Sequence, residues 1–149
     1  MSHIESIITT HPIELNHWLS RQVDPVCGAQ VIFTGIVRNL NHGKKVVKVE
    51  YDAFEPLAKQ TFQQIANEAF AKWGPNLAIT IIHRVGELLV GELSILIVVN
   101  SKHRDEAYLT SRYLLEEIKT RAPIWKKDFI VTGKQIGRAS CRERVYVLV

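Results

Sequence analysis

The pattern of apolar and polar positions along the chain predicts several β-strands. Residues 31–37 form a mostly apolar run, and apolar and charged residues alternate over 47–52, as in a half-buried strand. Residues 77–82 and 93–99 are also apolar. Since the second of these runs is apolar on both faces, we expect it to be a covered central strand. A final strand is predicted over residues 124–131.

Apolar residues spaced three and four apart predict two long helices. The first opens at Pro56 and carries its apolar stripe to Trp73, where a glycine and a proline follow. The second is predicted to have Ser101 as its N-cap and to run to about Arg121, because Pro123 disfavours helical geometry in the residue before it. Its predicted buried face consists of Ala107, Ser111, Leu114, Leu115 and Ile118.

The predicted elements follow the order α-β-β-α-β-β-α-β. A short first helix begins near Pro12, and residues 39–45 are predicted as a loop. Two consecutive strands precede the first long helix, which favours a mixed, largely antiparallel sheet over a doubly wound one. We therefore expect a single α+β domain with two main helices, and a length of 149 residues agrees with one domain.

The composition is that of an ordinary globular protein. Hydrophobic residues make up 46% and charged residues 23%, which excludes a disordered or collagen-like chain. No apolar run reaches the ~20 residues that a membrane helix needs, and residues 1–10 do not have the pattern of a signal peptide. Cys27 and Cys141 give neither a disulfide framework nor a zinc motif, so we expect no metal site and a cytoplasmic protein.

Residues 136–149 resemble the translation of a sequencing adapter joined in frame to a shortened gene. We therefore expect a domain over residues 1–135, truncated at its end, followed by a tail that is not native. The alternative is a genuine basic tail that ends in a short strand over 145–149. The tail holds three arginines and one glutamate, so without it the net charge falls from +4 to +2. Any anion site must then be local.

Basic residues stand beside turn residues in four stretches, 33–39, 101–104, 119–123 and 125–127. The second stretch lies at the predicted start of a helix, where free backbone N–H groups and the helix dipole favour an anion. The histidine and arginine of this stretch add donors that suit phosphate. A solvated helix end explains the same residues without a ligand, and both interpretations stand at this point.

Lys119 and Lys126 are seven positions apart across the break between the second long helix and the last strand. The turn at Pro123 allows the strand to return towards the helix end and the two ammonium groups to approach each other. Neighbouring cations favour the neutral amine, which can act as a nucleophile or a general base. The alternative is a pair of ordinary lysines that face water and interact favourably with the helix dipole.

Taken together, these stretches resemble the large, catalytic subunit of molybdopterin synthase. The resemblance covers residues 25–128 in matching order and spacing, and it is carried by Phe33-Thr34-Gly35 with Val37-Arg38-Asn39, Ile82-His83-Arg84-Val85-Gly86-Glu87-Leu88, Ser101-x-His103-Arg104 and Lys119-Thr120-Arg121-Ala122-Pro123-x-Trp125-Lys126. It implies an α+β hammerhead-type fold and a dimer of this subunit. It also implies a heterotetramer with a small ubiquitin-like sulfur carrier that ends in a Gly-Gly thiocarboxylate.

The activity that the resemblance implies is a step of molybdenum cofactor biosynthesis. Two sulfurs are inserted into cyclic pyranopterin monophosphate, the substrate, to form the dithiolene of molybdopterin. Because the donor's own sulfur is the nucleophile, the reaction needs no cysteine, metal or resident cofactor of this chain. The sequence departs from the family pattern after about Asp128, so we expect this chain to lack contacts made by the family's C-terminal stretch.

Site residues are implied by the same resemblance, position by position. Lys119 and Lys126 match the two catalytic lysines of the family. We expect Lys119 to polarise a thioester-like intermediate or to aid its breakdown, and Lys126 to handle substrate charge and proton transfer. The residues implied to form the anion and pterin pocket are Ile36, Val37, Arg38, His103, Arg104, Lys127 and Asp128.

Two other functions could use the same cations. One is a phosphate- or nucleic-acid-binding module without catalysis. The small charge that is left without the tail and the lack of interleaved aromatic and basic residues disfavour it. The other is a non-catalytic scaffold that keeps the partner groove, which the intact lysine pair disfavours. We therefore expect neither a nucleic acid nor a membrane among the partners.

Overall fold

The computed structural model describes residues 3–132 and 135–138. Within them the elements are β1 (His3–Thr9), α1 (Leu15–Leu19), β2 (Ala29–Ile36), β3 (Leu40–Asn41), β4 (Lys44–Ala53), α2 (Glu55–Trp73), β5 (Ala78–Arg84), β6 (Gly86–Leu89), β7 (Leu93–Ser101), α3 (Arg104–Arg121), β8 (Ile124–Thr132) and β9 (Gln135–Arg138). The two predicted long helices and the short first helix are thereby confirmed.

The strands form two sheets. The first has the order β1-β5-β7-β2, in which β1 pairs with β5 in parallel and the other neighbours are antiparallel. The second has the order β3-β4-β8-β9, with β6 paired to β4, and all its pairs are antiparallel. The expected mixed, largely antiparallel arrangement is confirmed. The strand predicted to be central, β7, lies between β5 and β2 and is buried along most of its length.

The two long helices pack together and cover one face of the first sheet. The principal core contains side chains of both helices and of both sheets, including Phe62, Ile65, Leu114, Ile118, Ile79 and Ile124. A smaller cluster of Ile82, Leu96 and Val98 lies against Trp18 and Leu15 of α1. Burial of apolar surface in these clusters is the main stabilising contribution to the fold.

Two predicted boundaries were wrong. Ser101 is the last residue of β7 rather than an N-cap, because its hydroxyl donates to the carbonyl of His103 and His103 takes the N-cap position. The loop predicted over 39–45 is a hairpin, in which β3 pairs with β4 around His42 and Gly43. Both residues of this turn have positive φ angles, 50° and 76°, which glycine adopts without steric cost.

The N-terminal strand β1 was not predicted from the sequence. Its pairing with β5 joins residues about 75 positions apart, from His3 with Ala78 to Thr9 with Arg84. At the other end, residues 136–138 of the tail belong to β9 and pair with β8. The proposed strand over 145–149 and the rest of the tail lie outside the described residues, and the division of the chain at 135 stays a prediction. Among the described residues, no helix is long and apolar enough to cross a membrane.

Candidate functional site

A small pocket lies where the end of β2 approaches the second sheet. Its wall includes four residues predicted to belong to the site, namely Ile36, Val37, Arg38 and Lys126. The pocket has a volume of about 40 Å³, room for a few water-sized groups, so it accommodates one end of a ligand. We call it the β4–β8 pocket, since Val49, Tyr51 and Lys126 of these strands also line it.

Backbone hydrogen bonds hold the segment that carries Arg38. The N–H of Val37 donates to the carbonyl of Glu92 at 3.0 Å, and the N–H of Gly91 donates to the carbonyl of Val37 at 2.9 Å. Glu92 also accepts from Arg84 at 3.0 Å, and these contacts lower the pKa of the Glu92 carboxyl, chiefly through the N–H of Leu89. The turn between β6 and β7 therefore fixes the segment that follows β2.

Strand alternation decides which basic residues of β8 reach the pocket. Lys126 and Asp128 share one face of β8, with Lys126 opposite Tyr51 of β4. Lys127 lies on the other face, where its ammonium is 5.5 Å from the ring centre of Phe129. The structure therefore does not place Lys127 at the pocket, although the resemblance implies that it lines the wall.

A buried carboxylate holds the ammonium of Lys126. Asp128 is only 4% exposed, and its Oδ1 lies 3.2 Å from Nζ of Lys126, whose side chain is 16% exposed. The amide Nδ2 of Asn41 donates to the other oxygen, Oδ2, at 2.5 Å. The Lys126–Asp128 contact is an ion pair without hydrogen-bond alignment, since Oδ1 has no hydrogen-bond partner. The Asp128 carboxylate is thus held in place by the charge of Lys126 and by the side-chain amide of Asn41.

An uncharged aromatic pair lies behind this ion pair. The ring of Tyr51 meets that of His83 edge to face at 5.1 Å. Burial raises the pKa of the Tyr51 hydroxyl and lowers the pKa of His83 to about 4, so both side chains are uncharged at neutral pH. Nδ1 of His83 is 2.6 Å from the carbonyl oxygen of Arg84, and its Nε2 is buried without a partner. The part of the pocket wall formed by Tyr51 is therefore backed by an uncharged and buried side chain, and such surroundings strengthen electrostatic interactions near it.

Lys119 lies in the last turn of α3, two residues before a side chain that anchors this helix end. The guanidinium of Arg121 donates to both carboxylate oxygens of Glu68 on α2, at 2.7 and 2.9 Å, and the Tyr113 hydroxyl donates to the same carboxylate at 2.6 Å. These hydrogen bonds lower the pKa of Glu68 to about 2 and raise that of Tyr113 to about 12. Residues 122–123 then link α3 directly to β8, which carries Lys126. Among the described residues, the Lys119 ammonium has no ion-pair partner.

His103 and Arg104 lie at the opposite end of the same helix. Ala29, at the start of β2, pairs with Ser101 beside them, whereas Ile36 at the other end of β2, about 23 Å away, lines the β4–β8 pocket. These two side chains therefore do not reach the pocket of their own chain. His103 instead borders a separate cavity of about 130 Å³ with Trp73, Ser101 and Glu106. One chain therefore brings together Ile36, Val37, Arg38, Lys126 and Asp128, and leaves His103 and Arg104 apart. Lys119 precedes Lys126 by seven residues and does not line the pocket.

Two residues at the pocket were missed at the sequence level. Tyr51 was identified only as an apolar position of a strand, and Asn41 was placed in a loop. Their distance in sequence from Lys126 hides the contact, which depends on the register between β4 and β8. In the part of the chain that the structure describes, no group of three histidine, cysteine, aspartate or glutamate side chains is arranged to hold a metal ion.

Comparison with known proteins identifies the group to which this chain is related. A family model described as MoaE protein matches residues 8–121, which is most of the chain. The chain belongs to the MoaE protein family. A protein named molybdopterin synthase catalytic subunit from Bacillus subtilis is 41% identical over 129 residues, covering 86% of this chain and 81% of the relative. A protein of the same name from Nostoc sp. is 40% identical over 121 residues, covering 81% and 73%.

Solved structures show the same relationship. Molybdopterin synthase from Staphylococcus aureus superposes with a TM-score of 0.78 at 37% identity, covering 85% of this chain and 91% of that chain. A complex of subunits 1 and 2 of the molybdopterin-converting factor from Helicobacter pylori gives a TM-score of 0.70 at 25% identity, covering 93% and 91%. The resemblance inferred from the sequence, the α+β fold class and the enzymatic function as a molybdopterin synthase subunit are confirmed. The alternative of a binding module without catalysis is not supported.

Proposed function

We propose that the β4–β8 pocket and the adjoining end of α3 form the sulfur-transfer site of this catalytic subunit of molybdopterin synthase. The observation that carries the proposal is that Arg38 and Lys126, which are 88 positions apart, line one pocket. Lys119 precedes Lys126 by seven residues, across the turn between α3 and β8. In the proposed reaction, sulfur passes from a thiocarboxylated ubiquitin-like partner to cyclic pyranopterin monophosphate. The product is the dithiolene of molybdopterin.

The charges of the site suit both reactants. A thiocarboxylate and a cyclic phosphate are anions, and Arg38 and Lys126 supply fixed cations in a partly buried setting where such interactions are strong. In this proposal Lys126 binds substrate charge and transfers protons. Lys119 stabilises the thioester-like intermediate or its breakdown. The attacking sulfur comes from the donor, so the proposed chemistry uses neither Cys27 nor a metal or resident cofactor.

A second copy of the chain is proposed to complete the site. His103 and Arg104 lie beside the start of β2, about 23 Å from the end of this strand that lines the pocket, so within one chain they are far from it. Apolar side chains that are 40–62% exposed lie in the pocket wall and in the turn between β6 and β7 that bonds to it, as expected for an interface rather than for a free surface. They are Ile36, Leu40, Leu89 and Val90. We propose a homodimer in which each copy contributes His103 and Arg104 to the pocket of the other.

A small partner subunit is supported by the Helicobacter pylori structure, which contains two subunits of a molybdopterin-converting factor. We propose a heterotetramer of two such partners and two copies of this chain. In it, the Gly-Gly thiocarboxylate end of each partner enters a β4–β8 pocket. We also propose a cytoplasmic location, which agrees with the free thiol of Cys27 and with the lack of a membrane-spanning helix among the described residues.

Replacing each lysine tests the proposal. We expect Lys119→Ala and Lys126→Ala to keep the fold and to lower molybdopterin formation by about 100-fold or more, since each loses a charge that acts on the reacting groups. The assay mixes the chain with thiocarboxylated partner and cyclic pyranopterin monophosphate and measures molybdopterin. Lys59→Ala, which changes an exposed lysine of α2, is the matched control. Near-normal turnover by either site variant would refute the role of that lysine.

A further inference from the structure

Asp128 is a buried carboxylate at a site whose proposed reactants are anions. A carboxylate repels phosphate and thiocarboxylate, which makes it a poor substrate-binding group. Both of its oxygens are also engaged within the chain, Oδ2 by the amide of Asn41 at 2.5 Å and Oδ1 by the ammonium of Lys126 at 3.2 Å. At 4% exposure, little of the residue is left for a ligand. A role towards Lys126 fits these contacts better than a role towards the substrate.

We propose that Asn41 and Asp128 are positioning residues for Lys126, with Asn41 orienting the Asp128 carboxylate that holds the lysine ammonium at the pocket wall. The inference deepens the proposed function and rests on it for its catalytic meaning. The contacts themselves do not depend on what the enzyme makes. The sequence resemblance gave no role to Asn41. It implied that Asp128 lines the wall of the substrate pocket.

The hairpin between β3 and β4 explains how Asn41 reaches the carboxylate. Asn41 pairs with Lys44 across a two-residue turn, and the N–H of Val46 donates to the carbonyl of Asn39 at 2.8 Å. The register between β4 and β8 shifts between Val46 and Lys48, at the base of this hairpin. A tight turn and two short-range backbone contacts thus fix the side-chain amide beside Asp128, in the middle of β8.

The chemistry of an amide suits this place better than a charged group does. A neutral donor satisfies Oδ2 and leaves the Lys126–Asp128 pair without net charge. A cation at position 41 would compete with Lys126 for the carboxylate. An anion there would repel Asp128 and draw additional positive charge to the site. The amide therefore holds the carboxylate and leaves the lysine available to the pocket.

Substitutions at position 41 are expected to change the reactivity of Lys126 in opposite directions. Asn41→Ala removes the donor that fixes the Asp128 carboxylate, so the Lys126 ammonium is held less firmly at the pocket wall. Labelling of Lys126 by acetic anhydride, measured by peptide mass spectrometry, should rise several-fold. Asn41→Asp has the same size and adds negative charge, so labelling of Lys126 should fall below that of the unsubstituted chain. Asp128→Asn should raise the labelling of Lys126, as Asn41→Ala does.

Turnover provides the second measurement. Asn41→Ala disturbs the position of Lys126 rather than the binding of the substrate. It should therefore lower kcat by about 10-fold to 100-fold and change KM little. Asn41→Asp places two carboxylates side by side, and such pairs share a proton at lower pH. Its activity should therefore recover relative to the unsubstituted chain as the pH falls, which a merely structural defect would not produce.

Controls separate the possible outcomes. Asn67→Ala, which changes an exposed asparagine of α2, should alter neither labelling nor turnover, and labelling of Lys119 serves as an internal standard for folding. Unchanged labelling of Lys126 in both Asn41 variants would overturn the inference. If labelling shifts as expected while the unsubstituted chain makes no molybdopterin, the positioning stands and the proposed function fails.

Discussion

The two ends of α3 differ in how their basic residues are satisfied. At the C-terminal end, Arg121 is held by Glu68 through two hydrogen bonds of 2.7 and 2.9 Å, and the following strand carries Lys126 paired with Asp128. At the N-terminal end, the side chains of His103 and Arg104 have no hydrogen-bond or ion-pair partner among the described residues. The C-terminal end is thus tied to α2 through Arg121, although the Lys119 ammonium there has no ion-pair partner among the described residues, whereas both basic residues of the N-terminal end lack a partner.

The difference shows which half of the site the chain completes by itself. Basic residues at a helix N-terminus interact unfavourably with the helix dipole, and Asp105 and Glu106 in the first turn offset this only in part. Cations kept at such a place are best satisfied by an anion from outside the chain. In the proposed homodimer, the strand after the C-terminal end carries Lys126 to the pocket of its own chain, and the N-terminal end supplies charge to the pocket of the other copy.

The largest expected effect is the recovery of activity when a variant at each end of α3 is combined with the other in one dimer. Lys126→Ala and Arg104→Ala should each inactivate a homodimer, since every site of the first lacks the lysine and every site of the second lacks the arginine. A heterodimer of the two variants has one site with both defects and one site with neither. It should recover about half of the unsubstituted activity. Differently tagged copies, expressed together and purified through both tags, allow this measurement.

A heterodimer of Lys126→Ala with Lys119→Ala is the matched comparison. Both lysines lie at the same end of one chain, so each site of this heterodimer lacks one of them and activity should stay low. Recovery by this second pair, or its absence in the first, would contradict a site shared between two copies.

Low pH is expected to reduce the free energy of unfolding through His83, which packs against Tyr51 of the pocket. This histidine is uncharged in the fold with a pKa of about 4, compared with 6.5 for an ordinary histidine. The unfolded chain therefore binds more protons between pH 6.5 and 4, so stability falls as pH is lowered through this range and the contribution of His83 is constant below it. The loss amounts to about 3 kcal/mol. Urea unfolding at a series of pH values measures it.

Two variants sharpen this measurement. His83→Phe should flatten the dependence of the unfolding free energy on pH between 6.5 and 4, whatever its effect on absolute stability. Asn67→Ala, which changes an exposed and non-titrating side chain of α2, should leave the slope as it is. An equally steep slope in His83→Phe would show that another group is responsible.

The sequence indicated the parts of the molecule that depend on local pattern. Periodicity located both long helices and the covered strand β7, and ordered motifs brought Arg38 and Lys126 into one hypothesis. It did not reveal β1, because parallel pairing with β5 is a contact between distant segments that leaves no alternation in residues 3–9. The boundary at Ser101 was wrong for a similar reason, since a serine suits an N-cap and a strand end equally well without knowledge of its partner.

The composition of the pocket shows the same limit. The alternation of β8 would have separated Lys127 from Lys126 and Asp128, since neighbouring residues of a strand face opposite sides. The contacts of Tyr51 with His83, and of Asn41 with Asp128, depend on how two sheets and a hairpin are placed in space. No spacing along the chain encodes them. Motifs therefore identify charged groups, and only the fold shows what supports each of them.

The smallest expected effect concerns the backbone that supports the open end of α3. The N–H of Gly28 donates to the carbonyls of Ser101 and Lys102 at 3.0 and 3.2 Å, immediately before His103. A Cβ at position 28 would lie 2.8 Å from the Lys102 carbonyl oxygen, a backbone atom that cannot rotate away. Gly28→Ala should therefore displace the residues before the helix and cost about 1–3 kcal/mol of stability. If these residues position His103 for a neighbouring pocket, turnover should fall while labelling of Lys126 by acetic anhydride stays unchanged.

Cys27→Ala removes atoms beside the same contact without adding any, and it should leave turnover as it is. A loss of stability in Gly28→Ala with full turnover would mean that the N-terminal end of α3 does not take part in the reaction, and the contrast between the two ends would then concern folding alone.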